Sequence, residues 1–275
     1  MEDGIITKGS EHGEQETEKT VLRPFSVGSL PSIYYIPDFV SPAEQNHLLR
    51  QVNGAPMTKW KMLKNRRLQN WGGVVHEKGL LAQVLPPWLI TVTQRIANET
   101  ALFPAPINHV LVNEYLPGQG IMPHQDGPLY HPVVAILSLG SPALMRFTPH
   151  ARILGITQEG IDEQQQQHTR SQGGKELSTF SVALMPGSLL VFKDSAYEDY
   201  LHGIDESSEH MLDETVVNAY ACICQDEDRH RDGLREVQSM PAEEQCTKGI
   251  LRRTGTRVSL TCRHVSKVQK NFLRL

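Results

Sequence analysis

The chain has no apolar run approaching the roughly 18 residues that a bilayer-spanning helix needs. Its first stretch, MEDGIITKGSEHGEQETEKT, lacks the apolar core of a secretory signal. An intracellular protein of the cytoplasm or nucleus, with no membrane partner, is therefore expected. Net charge is scarce too. Lys and Arg number 27 against 31 acids, and residues 1–20, with six acids and two lysines, carry the whole balance of -4. A near-neutral remainder argues against broad electrostatic adhesion to nucleic acid, while leaving room for local basic patches. Cysteine is sparse: Cys222, Cys224, Cys246 and Cys262 form no C-x-x-C pair and no disulfide framework. A zinc site built from Cys222, Cys224, Cys246 and His230 is the alternative, but its spacing is irregular, and reduced thiols are the expectation. Internal repeats are also lacking.

What is present is an ordinary globular composition, 39% hydrophobic and 21% charged over 275 residues. Ser41, Pro42 and Glu44 open VSPAEQNHLLRQV as a capping box before an amphipathic helix, and PPWLITVTQRIANE reads as a second helix. From residue 106 onward the pattern changes to short β-rich runs: INHVLVNEY, VVAILSL, ALMRF, TFSVALM, SLLVF and TRVSLTCRHV. Helices followed by strands without helical crossovers predict a mainly β fold with flanking helices (α+β), a sandwich or jelly roll. A single domain over residues 23–275 follows a disordered acidic tail at 1–22, with the core at 106–265. Two loop inserts, 155–176 and 205–250, interrupt it, the second offering only TVVNAYACIC as a strand.

The segment NEYLPGQGIMPHQDGPLYHP concentrates coordinating groups where little can be buried. It contains His124 and Asp126 in H-x-D spacing, which on an extended strand turns both side chains to one face. Spacing alone decides nothing, because His12 to Glu14 and His230 to Asp232 repeat it in polar, charged surroundings. Only the middle triplet lies between apolar alternating runs. Two imidazoles and a carboxylate on one face make an open iron site for oxygen chemistry. His202 follows the apolar SLLVF and is the strongest third ligand, the alternative being a core or turn histidine.

In GTRVSLTCRHV the alternation puts Arg257, Ser259, Thr261 and Arg263 on one face and Val258, Leu260 and Cys262 on the other. Inward guanidinium groups need anionic or hydrogen-bonding partners, and a dicarboxylate would satisfy one through a bidentate pair. A solvent-facing basic strand is the other reading, since residues 246–275 hold eight Lys and Arg and no acid. In INHVLVNEY, Ile107, His109, Leu111, Asn113 and Tyr115 share one face, bringing an amide and a phenol toward His124.

These residues, in order N-E-Y, H-Q-D, a distant His and R-x-x-x-x-x-R, resemble the AlkB-like Fe(II)- and 2-oxoglutarate-dependent dioxygenases. YYIPDF, LQNWGG, LPPWL, NHVLVNEYLPGQGIMPHQDGPLYHP, LSLG, YLHGI and GTRVSLTCR look most like the subgroup of alkylation-repair homologue six, over about residues 30–268. The resemblance implies a double-stranded β-helix (jelly-roll) core, and Fe(II), 2-oxoglutarate and dioxygen as cofactor and co-substrates. It implies His124, Asp126 and His202 as iron ligands, and Asn113, Tyr115, Arg257 and Ser259 around 2-oxoglutarate. Arg257 would clamp the distal carboxylate. Arg263, also placed among the 2-oxoglutarate residues, falls about 20 Å along an extended strand from Arg257 and would support the metal end or an iron-bound carboxylate. The 54 residues between His202 and Arg257 exceed what many members carry.

The implied reaction is oxidative demethylation of N-alkylated DNA or RNA, with release of succinate, carbon dioxide and formaldehyde. Residues 57–80 take the place of the family's substrate lid. There, Lys61, Lys64, Arg66 and Arg67 offer phosphate contacts, while Trp60 and Trp71 offer stacking planes for a single-stranded or flipped-out base. Both tryptophans could instead belong to the core. A dioxygenase of a protein side chain or small metabolite is the alternative function. A binding module with a dead iron site fits poorly beside a full set of ligands and Arg257.

Overall fold

The computed structural model describes residues 21–154, 177–223, 246–247 and 249–269. Residues 1–20 of the acidic tail, the 155–176 insert, Cys224 and His230 lie outside the described residues, and with them the zinc alternative; Leu22, assigned to the tail from sequence, is instead buried in the core.

Seven strands form the larger sheet, in the order β1 (Ile33–Ile36), β11 (Leu189–Lys193), β8 (Val133–Gly140), β16 (Arg257–Arg263), β6 (His109–Tyr115), β3 (Arg66–Trp71) and β2 (Trp60–Leu63). A second sheet runs β10 (Phe180–Leu184), β9 (Ala143–Pro149), β12 (Tyr200–Ile204) and β7 (Ile121–His124). Two small sheets complete the fold: β13 (Glu209–Met211), β15 (Ile250–Arg252) and β14 (Cys246–Thr247), and β17 (Val268–Gln269), β5 (Gly79–Ala82) and β4 (Gly73–His76). The two larger sheets are antiparallel throughout.

Strand alternation divides the interior into two cores. On β8 and β11, Val134, Ile136, Leu190 and Phe192 pack with Phe147, Val182 and Leu184 of the smaller sheet. Their neighbours Ala135, Leu137, Leu189 and Val191 turn to the opposite face, against helices α1 (Pro42–Asn53) and α2 (Pro87–Thr100). There Val110, Val112, Leu260 and Cys262 meet Leu48, Val52, Leu89 and Ile96. Each fully buried side chain of this size contributes about 1.5–3 kcal/mol. α1 begins with the expected capping box, Ser41 Oγ accepting from Glu44 N and Glu44 accepting from Ser41 N.

The 205–250 segment departs from the sequence reading in two ways. TVVNAYACIC is not a strand: Val216 makes one isolated bridge to Ser181, and Tyr220–Ile223 is a helical turn, α4 following the short α3 (Asp194–Glu198). Asn218 explains this, because its side chain bonds both N and O of Ala183, at 2.7 and 2.9 Å, taking the place of a strand's backbone. The two ends of the segment also zip together, Glu209 opposite Arg252 and Met211 opposite Ile250. Pairing over so long a separation leaves no local signature.

Candidate active site

His124 ends β7 and faces His202 on β12, their Cα atoms paired across the ladder and their ring centroids 4.4 Å apart. Gly203 allows this approach: a Cβ there would stand 2.9 Å from both the Ile121 oxygen and the Pro123 nitrogen. His124 Nδ1 donates to the Met122 carbonyl at 2.9 Å, which leaves Nε2 with the free lone pair. Burial pushes the His202 pKa down to about 4, the neutral state a ligand imidazole needs. Asp126 lies just beyond the strand rather than within it, so the loop, not strand alternation, aims its carboxylate. Its Oδ1 accepts from Arg263 Nη1 at 2.8 Å. Its Oδ2 is buried without a hydrogen-bond partner, 3.9 Å from His202 Nε2.

An orphaned buried carboxylate oxygen facing an imidazole nitrogen costs free energy unless a cation or donor fills the gap. Among the described residues no group of three or more His, Cys, Asp and Glu stands close enough together to hold a metal ion as placed. The donor set nonetheless fits a divalent ion: two imidazoles, one carboxylate, and an arginine holding the other carboxylate oxygen in place.

β16 carries the second half of the site. Val258, Leu260 and Cys262 enter the helix-side core, while Arg257, Ser259, Thr261 and Arg263 line the cavity, all buried; the solvent-facing reading of this strand is set aside. Arg257 is fully buried. Its Nη2 donates to Ser138 Oγ at 3.1 Å, and its Nε and Nη1 have no partner. Burial lowers its pKa to about 10, against the support of the nearby Tyr115 oxygen. An unpaired buried guanidinium of this kind fits a carboxylate ligand. Tyr115 lies opposite Arg257 and Asn113 opposite Ser259, so β6 delivers both to the same end, as its alternation implied. Ile107 does not join them, packing instead in the helix-side core.

Between these groups lies a cavity of about 780 Å3, which also takes Leu63, Lys64, Asn65 and Arg66 from the β2–β3 hairpin as one wall. Arg66 Nε donates to Asn113 Oδ1 at 3.2 Å. The six substrate candidates do not all reach the cavity. Lys64 and Arg66 line it, but Lys61, on the same strand face as Leu63, does not. Arg67 forms a bidentate pair with Glu114, at 2.7 and 2.8 Å, and stacks over Trp60 at 4.1 Å. Trp60 and Trp71 pack against the helix-side core, and Trp71 meets Trp88 edge-on at 6.0 Å. A strand sends consecutive residues to opposite faces, so Arg66 and Arg67 cannot both reach one ligand.

Sequence reading missed Ser138, Glu114 and Tyr130. Ser138 had a signal, as the one hydroxyl inside VVAILSLG. Glu114 had a weaker one, an acid flanked by inward residues. Tyr130, whose ring lies 4.5 Å from the Arg263 guanidinium, had none.

A family model described as the 2OG-Fe(II) oxygenase superfamily matches residues 56–263. A zebrafish (Danio rerio) protein named "Probable RNA/DNA demethylase ALKBH6" is 42% identical over 238 residues, covering 86% of this chain and 87% of its own. A Xenopus tropicalis protein named "tRNA (carboxymethyluridine(34)-5-O)-methyltransferase alkbh8" is 28% identical over 141 residues, 47% of this chain and 22% of its own. The solved structure of OsALKBH1 superposes with a TM-score of 0.51 at 14% identity, covering 87% of this chain and 100% of that one, a likeness of fold. With the family model spanning the hairpin, the histidine pair and both arginines, the chain belongs to the 2OG-Fe(II) oxygenase superfamily, as an AlkB-like oxidoreductase of a family that uses ferrous iron, 2-oxoglutarate and dioxygen.

Proposed function

We propose that this enzyme demethylates N-alkylated nucleic acid, with His124, Asp126 and His202 holding the iron and Arg257, Ser259, Asn113 and Tyr115 holding 2-oxoglutarate. The observation that carries the site assignment is the pairing of two unsatisfied buried groups across one cavity, Asp126 Oδ2 and the Arg257 guanidinium. The carboxylate calls for a cation and the guanidinium for an anion, which the metal and the co-substrate would bring to the two ends.

When bound, iron, 2-oxoglutarate and dioxygen supply the oxidation of a substrate C–H bond, with succinate and carbon dioxide as co-products; a hydroxylated N-methyl group then leaves as formaldehyde. The chain's own residues orient and enclose. Arg257, held in place by Ser138, fixes one end of the co-substrate, and Arg263 keeps Asp126 aimed at the metal. Leu63, Ile136, Met145 and Ile204 give the cavity apolar walls that limit water near the reacting carbon.

The nucleic-acid reading is supported by the zebrafish relative's name and by Lys64 and Arg66 at the cavity wall. The withdrawal of Trp60, Trp71 and Arg67 to the other face leaves fewer contacts for a base and favours a second reading, a protein or metabolite substrate. Succinate and formaldehyde measured across methylated single-stranded oligonucleotides, methylated peptides and a substrate-free control decide between them. Stoichiometric formaldehyde with oligonucleotides alone is the expected result; turnover with peptides alone would overturn the nucleic-acid assignment.

A further inference from the structure

The segment between β12 and β16 contributes a second buried guanidinium. Arg253 follows β15 and is 2% exposed. Its Nη1 donates to the carbonyls of Asp205, at 3.4 Å, and Ser207, at 3.0 Å, while Nε and Nη2 have no partner. Among the described residues no carboxylate pairs with it, and burial lowers its pKa.

Its position follows from its contacts. Gly120 and Ile204 form part of the cavity wall, and a Cβ on Gly120 would stand 2.2 Å from the Ile204 oxygen and 3.1 Å from that of Asp205. Arg253 donates to that same Asp205 carbonyl, so it stands behind this wall, off the lining itself, within electrostatic reach of Tyr115 and Arg257. Three guanidinium groups, those of Arg257, Arg66 and Arg253, act electrostatically on Tyr115. Two carbonyl bonds do not explain a buried cation with two idle nitrogens, because a neutral amide would make such bonds at far lower desolvation cost.

We propose that Arg253 is a positioning residue for the anionic co-substrate: from behind the wall of Gly120 and Ile204 it adds positive potential at the Arg257 end of the cavity and so favours a ligand with a charged distal carboxylate. This rests on the assignment of 2-oxoglutarate to Arg257 and extends it. It gives the β13–β15 segment a task, carrying a charge to the co-substrate from outside the jelly roll.

The test is calorimetric titration of the manganese-loaded, full-length protein with 2-oxoglutarate and with 2-oxoglutaramate, whose distal group is an uncharged amide. Arg253→Gln should weaken 2-oxoglutarate about tenfold, the scale of one unit charge at a distance of about 10 Å in a medium of effective dielectric about 20. The same variant should leave 2-oxoglutaramate within about twofold, because it removes charge and not shape. Arg253→Lys should restore 2-oxoglutarate affinity, and it serves alone if the Gln variant does not fold. Equal weakening of both ligands by Arg253→Gln, or failure of the folded Lys variant to keep 2-oxoglutarate affinity, would overturn the proposal in favour of a structural tie to residues 205–207. Wild-type protein that binds neither ligand would instead sink the underlying site assignment, a distinguishable result.

Discussion

Arg257 and Arg263 share one face of β16 yet meet different partners, a hydroxyl and open cavity for one, the Asp126 carboxylate for the other. Conservative replacement should separate them. Arg257→Lys keeps the charge but loses the planar fork, at a cost of about 1.5–3 kcal/mol, and should weaken 2-oxoglutarate roughly 10- to 100-fold in a binding titration. Arg263→Lys should spare that affinity and lower metal retention and turnover, measured by equilibrium dialysis and succinate release. Equal effects of both on 2-oxoglutarate would refute the division. His109 gives a pH signature. It is buried against Tyr130, and burial pushes its pKa down to about 4, from 6.5. The unfolded chain then takes up the proton first, so stability falls as pH drops from about 6.5 to about 4 and is flat below, by at most about 3 kcal/mol. His109→Gln should remove that part of the slope in urea melts across the window.

The β2–β3 hairpin and the β7–β12 pair are the elements that shape the cavity. Arg66 reaches Asn113 inside it and Arg67 reaches Glu114 on the far side. Arg66→Ala should therefore lower single-stranded oligonucleotide affinity and reduce the log–log salt slope by about 0.7. Arg67→Ala should leave that slope unchanged and instead destabilise the fold by about 1–3 kcal/mol, through the stranded Glu114 carboxylate. Salt titrations and melts on both variants check the pair; identical slopes would remove Arg66 from the phosphate path. On the other side, Gly203→Ala places a methyl 2.9 Å from β7 backbone atoms and must separate His202 from His124. Loss of metal affinity with a retained far-ultraviolet spectrum is expected, since the strain is confined to one strand pair. Part of this was readable from sequence. The capping box, the strand runs and the two-face pattern of β16 all rest on local period or local caps, and each is present. The face of each hairpin residue was not readable, because it depends on which strand the hairpin pairs with, and β6 lies about forty residues further along.

At the scale of the whole molecule, the candidate site draws on segments from Leu63 to Arg263, and only its H-x-D portion is compact in sequence. The residues recognised early were those whose chemistry is unusual for their surroundings, an arginine in an apolar strand or a histidine after one. The place of Tyr130 against Arg263 and the burial of Arg253 became visible only when distant segments met. No helix among the described residues is long and apolar enough to cross a membrane. β16 is where site and scaffold coincide, its odd-numbered residues facing the cavity and Val258, Leu260 and Cys262 facing the helices. A slip of one residue would drive both arginines into hydrocarbon and turn three apolar side chains toward the co-substrate. Correct registry and a competent pocket are therefore a single event. In a urea titration, ligand binding and near-ultraviolet dichroism should vanish at the same midpoint, because no misregistered but compact species stands between the native state and the denatured ensemble.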